Sequence, residues 1–220
     1  MADKRQNRTF GVLVAVAAVL FATPALADDI ADHVVFSEVL ARPTDGQAVF
    51  IELYNPTGRN VSLDAYFIRS DQEDEYPALS GTIPAYGFYL VATSVEDWPA
   101  GWPAPDLVAP ILKLGNESGG VALIGGGETI DMLGWGISPS YYETTPCNAP
   151  GTGRSLERKS GSSHDDNEGN GYDTNNNIFD FYARGEPEPQ DTDSDVEHPP
   201  SSADDITWGF LKELYGSGSR

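Results

Sequence analysis

Two glutamates stand inside strand-like apolar runs, Glu38 between Val34 and Leu40 and Glu52 between Val49 and Tyr54. The segment between them, Arg42-Pro43-Thr44-Asp45-Gly46, carries a proline and an Asp-Gly pair. These favour a turn, so the two runs are expected to pair as a hairpin. Side chains alternate with period two along a strand, which puts Phe36, Glu38 and Leu40 on one face of the first strand and Phe50, Glu52 and Tyr54 on one face of the second. Glu38 then lies close to opposite Glu52, and two buried carboxylates cannot stand there uncompensated. One compensation is chemistry, a general acid and a general base about 5 to 9.5 Å apart as in glycoside hydrolysis. The other is an arginine clamp, because a guanidinium can hold a carboxylate through two parallel bonds. Arg158, in Ser155-Leu156-Glu157-Arg158, is the first candidate for the clamp and Arg154 the second. A catalytic pair also needs a cleft and unequal environments, which these residues do not display. The clamp is therefore the expectation, with no catalytic residue assigned and no enzymatic activity expected.

Oxygen ligands are densest from Ser162 to Asp180. Asp166, Glu168, Asn170 and Gly171 fall at the first, third, fifth and sixth positions of an EF-hand-like loop, but the twelfth is Asn177, where a bidentate glutamate is required. No flanking helices are expected either. A looser Ca²⁺ site would use Asp165, Asp166, Asp173, Asn175 or Asp180, since hard cations prefer carboxylate and amide oxygens. The competing reading is a polar loop whose Asx side chains cap their own turns, anchored by Phe179 and Phe181. His164 beside these carboxylates is a lone candidate for a transition metal. Asp191, Asp193 and Asp195 repeat the carboxylate spacing, but Val196 stands where such a loop needs glycine. No cofactor is required by this pattern, and Ca²⁺ is the one it leaves open. Cys147 is the one cysteine, with no histidine near it in sequence, and is expected to be a bystander.

The elements that must position these groups are short runs of alternating or β-branched residues separated by Gly, Pro, Asn and Asp. They include 33–41, 47–55, 65–70, 88–93, 120–124 and 129–135. None keeps a helical period for ten residues, and strands spaced by turn signals predict an all-β sandwich or barrel. Gly125-Gly126-Gly127 supplies a tight connection between two of them. The stretch from Gly115 to Gly120 lacks the Gly-Lys-Ser/Thr ending of a phosphate loop and reads as a turn.

The chain opens with Lys4, Arg5 and Arg8, continues with an apolar run from Phe10 to Ala22, and reaches Ala25-Leu26-Ala27. That three-part pattern is a secretory signal peptide with cleavage expected after Ala27, giving a secreted or extracytoplasmic protein. Removing 1–27 takes three of the 13 basic and one of the 34 acidic residues, leaving a formal charge of −23. Such a surface repels nucleic acid and anionic membranes. Residues 33–185 carry the apolar content of one domain. Residues 186–203, acidic and rich in Pro and Ser, read as a disordered, self-repelling linker. At 204–216, Ile206, Phe210, Leu211, Leu214 and Tyr215 fall at helical spacing, with Asp205 as cap and Gly216 as stop. A helix so short needs something to pack on.

Several ordered motifs resemble the lamin tail domain of the bacterial and archaeal secreted type. They are Phe50-Ile51-Glu52-Leu53-Tyr54-Asn55-Pro56-Thr57, Val61 to Ile68, Ile83 to Val91, Ser155 to Arg158, Asp173 to Asn177 and Asp180-Phe181 with Pro187 and Pro189 beyond. The resemblance spans about residues 33 to 190. It implies an immunoglobulin-like β-sandwich serving as a non-catalytic interaction or scaffolding module. Asp64-Ala65-Tyr66 departs from the small-Gly-Trp turn of that pattern, and the 97–110 loop is longer and more aromatic. Trp98, Trp102, Tyr141 and Tyr142 in predicted loops, with Trp208, Phe210 and Leu214 in the terminal segment, are the candidates for contacting a protein or cell-surface partner. The expectation is an exported binding or structural module. The alternatives are a Ca²⁺-dependent adhesion module and an extracellular hydrolase using Glu38, Glu52 or the loop carboxylates.

Overall fold

The computed structural model describes residues 29–44, 48–74, 76–96 and 98–200. The expected signal peptide and the 204–216 helix, with Trp208, Phe210 and Leu214, lie outside the described residues. Within them the fold is all-β. The strands are β1 (Val35–Leu40), β2 (Phe50–Tyr54), β3 (Val61–Ser62), β4 (Tyr66–Ser70), β5 (Thr82–Ile83), β6 (Phe88–Ala92), β7 (Leu107–Val108), β8 (Gly119–Gly125), β9 (Glu128–Trp135), β10 (Ser155–Arg158) and β11 (Phe181–Arg184). One helical turn, α1 (Asn177–Asp180), precedes β11.

A six-stranded sheet runs β11-β10-β1-β2-β6-β7, a three-stranded sheet runs β4-β8-β9, and β3 pairs with β5. The two larger sheets share one apolar core. Phe36, Val39, Ile51, Leu53, Val91 and Leu156 of the first pack with Ile68, Val121, Leu123, Leu133 and Trp135 of the second. The β8–β9 hairpin closes through Gly126 and Gly127, whose φ of +60° and +92° suit a two-residue turn that L side chains disfavour. Gly119, expected in a turn, belongs to β8 instead, which begins one residue before the expected strand at Gly120. A Cβ on Gly120 would sit 2.4 Å from the Tyr141 carbonyl oxygen, so the missing side chain admits the 141–142 segment against this strand.

The hairpin forms in the expected register, with Glu38 opposite Glu52. A bulge between Phe36 and Glu38 changes the faces, however. Phe36 lies in the shared core, whereas Glu38 and Leu40 lie on the other side of the sheet; one extra residue on a strand resets the alternation. The bulge also leaves the Phe36 backbone open to side chains. Its N–H donates to Asp131 Oδ2 at 2.6 Å, and its carbonyl accepts from Arg158 Nε at 2.8 Å.

The face of the six-stranded sheet away from the shared core is covered as well. Ala31, Val35, Tyr54 and Phe88 form one apolar cluster, and Leu40, Phe50, Leu90 and Ala92 form another under Trp98 and Trp102. Residues 186–200, expected to be a solvated linker, pack against this face instead. The Glu197 N–H donates to the Tyr86 carbonyl, the Gly169 N–H to the His198 carbonyl, and the Tyr54 hydroxyl to the Glu197 carbonyl at 2.5 Å. Backbone hydrogen bonding, which composition does not reveal, orders this segment; it is called the strap below.

Candidate functional site

Arg158 does not clamp Glu52 or Glu38. Its strand β10 turns the guanidinium into the core, where it is fully buried. There Nη2 donates to both oxygens of Asp131 at 2.8 and 3.0 Å, Nη1 donates to the Tyr172 carbonyl at 2.9 Å, and the Phe181 ring lies 4.5 Å away. Asp173 and Asp180 stand at 3.6 and 4.0 Å. Burial weakens this guanidinium's hold on its proton, but Asp131 and then Asp173, Glu143 and Asp180 more than reverse that. Because β9 carries Asp131 and β10 carries Arg158, the pair ties the two larger sheets together. Arg154 lies elsewhere, donating Nη2 to the Ala183 carbonyl. Asp131 went unnoticed in the sequence, although it alternates in phase with the core residues Leu133 and Trp135 and so marks an inward carboxylate.

The surplus of acid around Arg158 falls on Glu143. Burial, then Asp131, pushes its carboxyl up to about 8. Its Oε2 accepts from Asn177 Nδ2 at 3.1 Å. Cys147 sits beside this cluster with its thiol on the Asn177 carbonyl, and burial pushes it up to about 12, which removes it as a nucleophile.

Glu38 and Glu52 are compensated without an arginine clamp. The bulge places Ser37 beside Glu52, and its hydroxyl donates to Oε1 at 2.5 Å. Ser155 donates to Glu38 Oε1 at 2.5 Å. The register continues the row sideways, from Glu157 of β10 through Glu38 and Glu52 to Leu90 of β6. The strap follows this row. Its backbone N–H groups at every second residue meet successive carboxylates: Glu188 donates to Glu38 at 3.4 Å, Gln190 to Glu52 at 2.5 Å and Thr192 to Asp106 at 3.2 Å. An extended chain points alternate N–H groups to one side; of the residues in between, Pro189 has no N–H to offer and Asp191 turns its own to Ser194 Oγ. Burial first, with Glu157 adding to it, pushes Glu38 up to about 8. Burial and then Glu38 raise Glu52 well above the carboxylate range, and burial raises Asp106.

Next to this row the strap walls a recess of about 310 Å³, lined among others by Trp102, Glu157, His164, Asp166, Arg184 and Gln190. Glu157, His164 and Asp166 bring one ligand atom each within 4.8 Å of the others, a donor set that a transition metal accepts. Arg184 already supplies a cation there, its Nη1 2.7 Å from Glu157 Oε2 and 3.0 Å from Asp166 Oδ1. His164 Nε2 lies 2.8 Å from Asp166 Oδ1 and 2.7 Å from the Tyr182 hydroxyl.

The five oxygen ligands proposed for Ca²⁺ do not converge. Asp166 belongs to the His164 group and Asp173 and Asp180 to a second trio with Glu143, close to Arg158. Asp165 is an exposed Asx-turn residue that accepts from the Asn167 N–H, and Asn175 donates its N–H to Asp173. Of the two loop anchors, Phe181 is buried but Phe179 is 61% exposed on α1. Trp98 and Trp102 pack edge-on against each other and on Phe50, at 5.2 to 6.3 Å between centroids, so they serve mainly to close the sheet face. Trp102 alone of these also lines the recess. Tyr142 is the more open of the two tyrosines.

No protein-family model matches this sequence, and no curated protein is similar to it. Among solved structures, a DUF4876 family protein from Bacteroides thetaiotaomicron VPI-5482 is similar at 12% identity with a TM-score of 0.48, over 78% of this chain and 75% of that one.

Proposed function

We propose that this chain is an exported, non-catalytic binding module built on a lamin-tail-like, immunoglobulin-like β-sandwich. The recess beside Trp102 would be its contact with a protein or cell-surface partner. One observation carries the reading: the ionisable groups best suited to chemistry are spent on architecture. Arg158 and Asp131 join two sheets, and Glu38 and Glu52 lie under the strap at 2% exposure, each accepting from a serine and a backbone N–H. A hydrolase of the two-carboxylate kind needs its pair open to substrate and to water. The amino-terminal basic and apolar pattern supports export, and the acidic surface favours a cationic or neutral partner over nucleic acid.

The test pairs binding with turnover. Labelled protein is incubated with intact cells and isolated envelope fractions, beside a Trp102→Ala variant, while wild type is assayed on glycoside, ester and phosphodiester panels. Saturable retention weakened at least about tenfold by Trp102→Ala, as expected for an aromatic contact residue, with no turnover, supports the reading. Hydrolysis abolished by Glu52→Gln overturns it.

A further inference from the structure

The strap lies on its sheet as a bound peptide would, yet the groups it covers share its sign. Glu38 faces Glu157, Arg184 and the Ser155 hydroxyl; Glu52 faces Glu38 and Glu157; Asp106 faces Tyr89 and Asp191. The strap itself brings Glu186, Glu188, Asp191, Asp193, Asp195 and Glu197. Arg184 is a cation whose charge reaches this row at Glu38, and it is divided among Glu157, Asp166 and Glu188. Glu197 is held by Gln190 Nε2, Tyr54 reaches the strap at the Glu197 carbonyl, and His198 stacks on Tyr86 with centroids 4.2 Å apart. His164, on Asp166 and Tyr182, borders the same recess.

We propose that residues 186–198 form a latch whose closure is coupled to protonation of the Glu38–Glu52 pair, so that the strap holds in mild acid and lifts as the pair ionises. A neutral carboxyl still accepts the Glu188 or Gln190 N–H through its carbonyl oxygen, so closure does not need the charge. Two ionised carboxylates side by side beneath an acidic peptide repel each other and the peptide, and both gain hydration when the peptide leaves. Opening therefore releases a proton from the pair, and alkaline pH drives it. The Glu188-to-Gln190 wall of the recess goes with the strap, so pH gates access to it.

Hydrogen exchange on the full chain between pH 5 and 9, corrected for intrinsic exchange rates, reads this directly. Protection of the Glu188 and Gln190 amides is expected to fall by up to about tenfold per pH unit as the pair loses one proton, while β2 and β8 amides stay protected. Glu38→Gln/Glu52→Gln keeps the acceptors without the charge and should make strap protection independent of pH. Flat protection in wild type, or an equal fall in the double variant, overturns the proposal. If the double variant does not fold, carboxyl ¹³C titration of wild type decides. The Glu38 and Glu52 midpoints must coincide with the loss of strap protection, and midpoints in the ordinary carboxylate range overturn it.

Discussion

Arg158 binds Asp131 through both carboxylate oxygens in a site from which solvent is excluded, and each residue also holds one backbone group of Phe36. Strands β1, β9 and β10 thus meet at a single polar knot inside an apolar core. Such a knot contributes little compared with a well-packed apolar replacement, but removing one partner leaves the other charged and buried.

Arg158→Ala is accordingly expected to cost about 3–5 kcal/mol, and Asp131→Ala a similar amount. Arg154→Ala, which removes an exposed bond to a carbonyl, should stay within about 0.5 kcal/mol. Urea titration monitored by tryptophan fluorescence measures all three. Equal midpoints for Arg158→Ala and wild type would remove the knot from the account of stability.

The pH dependence follows from carboxyls that hold their protons more tightly when folded. Glu38 and Glu143 are each pushed up to about 8 from 4.5, so the folded chain binds more protons than the unfolded one between those values. Their contribution is fully present below the unfolded pKa and is lost as pH rises through the folded one. Stability should decline between pH 5 and 8 by up to about 1.4 kcal/mol per pH unit for each group. Thermal melts at intervals of half a pH unit check this, and Glu143→Gln should flatten the decline. A melting temperature that rises steadily over the range would contradict it.

Gly169 lies under the strap where a side chain has no room. An alanine Cβ there would come within 2.0 Å of the Tyr54 hydroxyl and 2.5 Å of the Glu197 carbonyl oxygen. Gly169→Ala is expected to displace the strap while leaving the core intact. Limited proteolysis should cut between 186 and 200 at least about tenfold faster, with a loss of global stability of only about 1–3 kcal/mol. An unchanged cleavage rate would show that the strap does not depend on this approach.

Cys147 should behave as a core side chain. With its thiol pushed up to about 12 by burial, alkylation by iodoacetamide at pH 8 is expected to require unfolding, because the thiolate is the nucleophile. Mass spectrometry of native and urea-treated protein distinguishes the cases, and rapid native labelling would refute the assignment.

Much of the framework was legible in the residues. The strands around Glu38 and Glu52 and their opposition follow from alternation and a Pro-Thr-Asp-Gly turn, and the β8–β9 hairpin follows from its glycines. What alternation cannot show is a break in itself. The bulge at Ser37 moves Phe36 to the opposite face from Glu38 and supplies the hydroxyl that holds Glu52, which removes the need for an arginine. Arg158 was expected to hold Glu52 or Glu38, but its partner Asp131 sits on a strand of the other sheet, a pairing set by tertiary packing. The strap was misread because composition measures apolar burial, whereas Glu188, Gln190 and Thr192 are fixed through main-chain donors that any sequence carries.

The place of β1 between β2 and β10 sets an order on synthesis. The Ser37–Glu52 contact spans 15 residues and can form early, whereas Ser155 reaches Glu38 across 117. Until the later segment exists, one side of β1 is a bare edge able to recruit a strand from a neighbouring chain. Glu38 and Glu52 would then be open to water and ionised, placing two negative charges on the newborn hairpin. The same side chains that need a cover in the finished protein protect the unfinished one against aggregation, by making its exposed edge repel its own kind.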